Sequence, residues 1–246
     1  MIENEYYDIL LSGMDNSLSV VEIVHGVSWT AAVLSNGQAG VAMHTVGETR
    51  PRMRESLVGL GARQAAEAAL SWNFEEAGEG MAVVNAFYNT VERAAQFGCR
   101  YTDSALEGVD LTGKTVGFVG HLIRHSGITE KLVAPAKEVF ILEREPKPGD
   151  YPDSACEYLL PRCDVVVITG SAAVNKTMPR LLDLSQNAEI VLTGPTVTLC
   201  PPLMERFGIA RLNGQAVTDR ESMLRAIVEK RCSVNPYCQH FTLDRP

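Results

Sequence analysis

Residues 117–127 read GFVGHLIRHSG and follow LTGKTV, a polar turn that runs into an apolar stretch. Open α/β sheets begin this way, and the loop after such a strand is where they bind ligands. Four further apolar runs lie downstream: KEVFILER (137–144), CDVVVITG (163–170), AEIVLTG (188–194) and GIARLNG (208–214). Helical stretches are expected between them, at roughly 128–134, 154–161, 176–185 and 199–206. A last helix in DRESMLRAIVEK has Asp219 as N-cap and Ser222 three residues on. Strands that are apolar throughout and alternate with helices predict an α/β fold with a Rossmann-like, doubly wound parallel sheet.

The loop is a poor dinucleotide fingerprint. Gly117, Gly120 and Gly127 are three and seven residues apart, whereas the fingerprint places three glycines within six residues. Counting from Gly120, Leu122 and His125 fill the other two glycine positions. No Gly-Lys-Ser or Gly-Lys-Thr phosphate loop is present. NAD is therefore not expected as a cofactor.

Before this block the period changes. SLSVVEIVHGVSWTAAVLSNGQAGVAMH (17–44) gives three β-rich runs separated by HGVS and SNGQAG, a meander. In ESLVGLGARQAAEAALSW (55–72), Leu57, Leu60, Gln64, Ala68 and Trp72 recur at helical spacing. A second helix is expected in GEGMAVVNAFYNTVERAAQF (78–97). The chain thus reads as a smaller β-β-β-α-α domain over 1–105 and a Rossmann-like domain over 106–246. The second domain ends in a tail of little periodicity.

The 246 residues are 46% hydrophobic and 21% charged, with a net charge of -8. A nucleic-acid partner would want a basic excess, which is missing. The start, MIENEYYDILL, lacks the basic and apolar regions of a signal peptide, and no run suffices to cross a bilayer. A cytoplasmic protein with no membrane partner is expected. The six cysteines are Cys99, Cys156, Cys163, Cys200, Cys232 and Cys238, irregularly spaced and without a Cys-x-x-Cys pair; with no signal peptide expected, buried thiols are expected rather than disulfides. Cys232, Cys238 and His240 in the tail are either a metal trio or ordinary tail composition. Structural zinc usually takes four ligands. Alanine-rich helices could also pack against a second copy as a homo-oligomer.

The strand ends supply the candidate site. His121 either binds metal, moves a proton or hydrogen-bonds a ligand, or else caps backbone. Glu143, with Glu145 as a weaker rival, stands where dinucleotide enzymes hold a ribose hydroxyl. Thr169, Gly170, Ser171 and Asn175 form a small polar turn, and Asn175 could equally cap residues 177 or 178. Gly194, Pro195, Thr196 and Thr198 follow the next strand. Asn85 and Asn89, four apart on one helical face, bind a ligand or the other block. His44, Thr45 and Glu48 sit on a loop facing the same cleft.

EGMAVVNAFYN, GFVGHL, VFILEREPKPGDYP, LLPRCDVVVITGSAAVNKTMPRLLDL and EIVLTGPTVTLCPPLMERFGIARLNGQAVTD, in that order, resemble the DUF364 family. That bacterial and archaeal group is associated with heavy-metal chelation, and the resemblance covers nearly the whole chain. It implies an enolase N-terminal-like domain (DUF4213), then a Rossmann-like domain, with a site at their junction. Carried over by motif, its polar positions are Asn85, Asn89, His121, Glu143, Thr169, Ser171, Asn175, Gly194, Pro195 and Thr196. The family often has an aromatic residue and a proline after its glycine-histidine pair, where this chain has Leu122 and Ile123. Enolase chemistry is not implied, because the barrel that carries the magnesium carboxylates is missing.

The expected function is the binding of a transition metal, a metal chelate or a small polar ligand in the interdomain cleft. His121, Glu143 and His44 are the metal candidates. A hard ion would favour Glu143, and nickel or zinc would favour His121 with His44. The alternatives are an enzyme using a nucleotide or S-adenosylmethionine-type cofactor, with His121 as general base, and a non-catalytic regulatory subunit.

Overall fold

The computed structural model describes residues 5–45 and 50–245. Helix α1 (Glu5–Ser12) buries Tyr6, Tyr7, Leu10 and Leu11, the one-sided spacing of an amphipathic helix. The expected meander follows as β1 (Val20–His25), β2 (Trp29–Leu34) and β3 (Ala39–Met43), an antiparallel sheet in that order. Then come α2 (Ala62–Ala66), α3 (Phe74–Tyr88) and α4 (Val91–Gln96). The helix expected over 55–72 is realised only as α2 and a 3-10 turn at Glu67–Leu70, and Trp72 is exposed. The second expected helix breaks at Asn89, and Thr90 N-caps α4 by accepting from Arg93 N.

The larger sheet contains β4 (Arg100–Tyr101), β5 (Thr115–Val119), β6 (Glu138–Glu143), β7 (Tyr151–Pro152), β8 (Val165–Thr169), β9 (Glu189–Thr193), β10 (Ile209–Val217) and β11 (Cys238–Asp244). Its helices are α5 (Glu130–Val133), α6 (Cys156–Leu159), α7 (Met178–Leu184), α8 (Pro201–Phe207) and α9 (Arg220–Val228). The spatial order is β4-β11-β10-β9-β8-β5-β6-β7, with the strands from β10 to β7 mutually parallel and β11 antiparallel to both its neighbours, β10 and β4. Read from β7 to β10 this is the doubly wound order 3-2-1-4-5-6, whose direction reverses between β5 and β8. Asp219 caps α9 through Ser222 N, as its spacing predicts.

Two expectations are corrected here. The tail is not irregular: Phe241 and Leu243 alternate with His240 and Thr242, and the run pairs with β10. Arg100–Tyr101, expected in the first block, pairs with β11, so the chain enters the larger sheet before residue 106.

Helix α3 lies at the centre, with 13 of its 15 residues buried. It packs closely because its neighbours lack side chains. A Cβ at Gly40 in β3 would overlap the α3 backbone at Ala86, and one at Gly80 in α3 would overlap Ala69. One apolar core runs from α1 and α3 into β8, β9 and α8, so both blocks share it. Lys176, after β8, reaches across to the Ala69 carbonyl and lies 5.0 Å from the Tyr7 ring centroid. Tyr7 in turn donates to Ala173 O at 2.6 Å.

Burial pulls the Lys176 amine down to about 7. The unfolded chain keeps this amine protonated to about 10.5, the folded chain only to about 7. Between those values the unfolded state holds the extra proton, so this group makes stability rise with pH. We expect Lys176→Met to be more stable than the parent below about pH 7, with the advantage fading towards pH 10.5. Urea unfolding of both proteins across that range checks it.

Candidate functional site

Asn85 and Asn89, on one face of α3, are both buried and both spent on the loop after β9. Asn85 Nδ2 donates to Val41 O at 2.9 Å and to Thr196 O at 3.2 Å, and Asn85 Oδ1 accepts from Thr198 Oγ1 at 2.6 Å. Asn89 Nδ2 donates to Val197 O at 2.8 Å, and its Oδ1 accepts Leu199 N at 2.8 Å. These side chains bind the other block, the second of the two readings their spacing allowed. The loop they hold contains Gly194, Pro195 and Thr196. Thr196 Oγ1 accepts Met43 N at 2.9 Å, which ties the end of β3 to the carboxyl edge of the larger sheet. Gly170, after β8, lies against the backbone of Thr196 and Val197.

At the β5 end the expected residues meet in an unexpected way. Glu143 Oε2 accepts His121 N at 3.0 Å and Oε1 accepts Arg144 N at 2.8 Å, so both carboxylate oxygens serve backbone. The position read as a ribose contact instead joins the ends of β5 and β6. His121 and Glu143 are thus not a side-chain ligand pair. His121 faces Asp150, with Nδ1 3.4 Å from Oδ2 but too poorly aligned for a hydrogen bond. Between Gly120 and Glu130 the chain turns without a helix, and Arg124 and Ser126 adopt left-handed φ of 75° and 49°. The amides of a helix N-terminus, the usual pyrophosphate seat, are not presented there.

The turn after β8 is internally satisfied. Thr169 Oγ1 and Ser171 Oγ lie 3.1 Å apart, and Asn175 Oδ1 accepts from Thr177 Oγ1 at 2.7 Å and Thr177 N at 3.2 Å. Asn175 is therefore a local cap. The next residue, Lys176, has a left-handed φ of 71°. Strained backbone of this kind collects at functional sites.

The group with metal-ligand spacing lies at the other side of the junction. Strand alternation aims His25, Thr30 and His44 at α3, as it aims the apolar residues between them. Where β1 ends and β2 begins, this face turns polar and meets Glu75 and Glu79, one turn apart on α3. One ligand atom from each of His25, Glu75 and Glu79 falls within 4.8 Å of the others. His25 Nε2 is 3.0 Å from Glu79 Oε1, and Thr30 Oγ1 lies 3.3 Å from His25 Nδ1. The His44 ring centroid is 6.3 Å from that of His25, and its Nδ1 is buried with no hydrogen-bond partner among the described residues. Gly78, beside Glu79, faces Thr30 and Val174, so the group abuts the turn after β8.

Glu79 forms the floor, its side chain 4% exposed, and His25 the mouth, at 35%. Burial opposes ionisation of Glu79, but hydrogen bonds from His25 and Arg52 outweigh it and hold its carboxyl below the usual value. Arg52 NH2 donates to Glu79 Oε2 at 2.6 Å. Of the three metal candidates, only His44 lies near this group, its ring beside that of His25 but outside the set of three. Thr45 follows it on the same loop, and Glu48 lies outside the described residues. His25, Glu79 and Arg52 went unread, although two acids four apart within an apolar helix are a legible signal of a buried anionic site.

Among the described residues no cysteine joins this group. Burial pushes the thiols of Cys99, Cys163 and Cys200 up to about 11 and those of Cys156 and Cys238 up to about 12, so they stay protonated near neutrality. Cys232, Cys238 and His240 form no such cluster either. No helix among the described residues is long and apolar enough to cross a membrane.

Comparison with known proteins agrees with this architecture. The DUF4213 profile, described as "Putative heavy-metal chelation", matches residues 7–88, and the DUF364 profile, with the same description, matches residues 105–231. An uncharacterised protein of Methanocaldococcus jannaschii is 26% identical over 224 residues, spanning 87% of this chain and 85% of that one. A DUF364 protein of unknown function from Desulfitobacterium hafniense is 36% identical with a TM-score of 0.86, over 98% of this chain and 97% of that one. A DUF364 protein of Pyrococcus horikoshii, also of unknown function, shares the fold at 22% identity, with a TM-score of 0.77 over 97% and 98% of the two chains. With its profile match to the second block and its likeness to the D. hafniense protein over nearly the full length, this chain belongs to the DUF364 family.

Proposed function

We propose that the protein binds a divalent transition metal, alone or as a small chelate, at the junction through His25, Glu75 and Glu79, with His44 beside them. The observation that carries this reading is the convergence of one imidazole and two carboxylates around a buried acidic floor. The donor set decides the class of metal. Nitrogen and oxygen donors suit zinc, nickel, cobalt or iron(II), whereas soft ions want thiolates, which the buried cysteines do not offer. Thr30 completes the chemistry. If His25 donates Nδ1–H to Thr30 Oγ1, the Nε2 lone pair is free for the ion, the outer-shell arrangement usual for ligating histidines. The strand-end loops 169–175 and 194–196 would then flank the organic part of a chelate, in the small-molecule role expected of them.

In titrations with Co²⁺ or Zn²⁺ we expect one ion per chain. His25→Ala and Glu79→Gln should each weaken binding by about 100-fold or more, since even outer-shell losses cost about 10–100-fold. Cys238→Ser should leave affinity unchanged. Equal affinity in His25→Ala and the parent would exclude this site.

A second reading rests on the His121–Asp150 contact, which sets an imidazole 3.4 Å from a carboxylate at the β5 end, close enough to become a general-base pair if ligand binding tightens the alignment. It calls for a nucleotide or S-adenosylmethionine-type ligand. Native mass spectrometry of the protein purified without additions would then show a nucleoside-sized bound mass, which the metal reading does not require.

A further inference from the structure

Arg52 is the one feature of the cluster that opposes a metal. Its NH2 lies 2.6 Å from Glu79 Oε2 and its NH1 4.0 Å from Glu75 Oε1, so it bonds one carboxylate of the proposed centre and neighbours the other. A guanidinium cannot lose its charge near neutrality. A divalent ion held by the same oxygens would be repelled by it at close range. The arginine also has a purpose without metal: a buried carboxylate left unpaired is strongly destabilising.

We propose that Arg52 is a built-in counter-cation, which neutralises Glu79 in the metal-free protein and is displaced when metal enters. This rests on the metal reading above and adds a regulation to that site. The surroundings favour a side-chain exchange over an opening of the loop. The backbone around Arg52 is pinned to α3: Glu76 accepts Met53 N at 2.9 Å and Arg54 N at 2.9 Å, and Asn73 Nδ2 donates to Arg50 O at 2.9 Å. Glu76 is fully buried and also accepts the Ser71 hydroxyl at 2.5 Å. Apart from Glu79, the guanidinium is held lightly among the described residues, by a bond from Nε to Arg54 O at 3.3 Å and by Glu75 at 4.0 Å, and its side chain is 30% exposed. Metal affinity in the parent protein is therefore lowered by the work of displacing an internal cation. The device would favour ions with strong ligand binding over abundant weak ones such as Mg²⁺.

The test compares Zn²⁺ binding to the parent, Arg52→Gln, Arg52→Lys and His25→Ala by calorimetric titration. Removing the competing cation should tighten Zn²⁺ binding to Arg52→Gln by about tenfold or more. Arg52→Lys, which keeps the charge, should stay near the parent. In case Arg52→Gln fails to fold, the Arg52 Nε–Hε resonance of the parent supplies the second readout, and it should shift as Zn²⁺ is added. Binding that is lost in His25→Ala but unchanged or weaker in Arg52→Gln overturns the exchange and leaves the site standing. So does an Arg52 resonance that ignores Zn²⁺ at saturation. No binding by the parent or by Arg52→Gln overturns the site and the exchange together.

Discussion

Two asparagine side chains on α3 hold this molecule's working parts in register. Asn85 and Asn89 hydrogen-bond five consecutive residues of the loop after β9, 195 to 199, through side chains that are almost wholly buried. The loop cannot move without orphaning several polar groups at once, and each orphan costs about 1–3 kcal/mol. Because Thr196 in turn holds Met43, the clamp fixes where β3 ends and where His44 begins. Gly40 and Gly80 let α3 approach closely enough for those bonds to form. The position of the candidate centre is thus a consequence of helix packing, settled before any metal or ligand is considered.

The charge at that centre is equally constrained. Glu79 sits at the floor of a junction where an isolated carboxylate would be costly. The fold answers with two donors, His25 and Arg52, one on each oxygen. In the proposed account these donors offset the Glu79 charge in the metal-free protein, and the imidazole of His25 stays to join the carboxylates as ligands once Arg52 alone turns away. The cysteines, the natural first suspects for heavy-metal chemistry, are dispersed through the structure, with Cys156, Cys163 and Cys200 buried and Cys232 exposed, and none joins the cluster among the described residues.

Much of the fold could be read from the sequence, because the larger sheet is built from uninterrupted apolar runs such as CDVVVITG and AEIVLTG, which only helix-covered strands produce. β11 was harder, since His240 and Thr242 share its length with Phe241 and Leu243, and a half-polar alternation in a tail resembles irregular chain. The site was read less well. Glycine and small polar residues at strand ends pointed to the carboxyl edge of the sheet, yet Glu143, Asn85 and Asn89 satisfy backbone groups of the protein itself. Polar residues chosen by position alone do not reveal whether a partner lies inside the protein. His25 was hidden in a turn, and Glu79 in a helix that otherwise reads as core. Only the tertiary fold brings them within 3.0 Å.

X-ray absorption at the zinc or cobalt edge of the metal-loaded protein tests the central claim most directly. The account predicts nitrogen and oxygen neighbours only, at about 2.0–2.2 Å, with outer-shell scattering from an imidazole that disappears in His25→Ala. Sulfur neighbours at about 2.3 Å, or an imidazole signal that survives loss of His25, would contradict it.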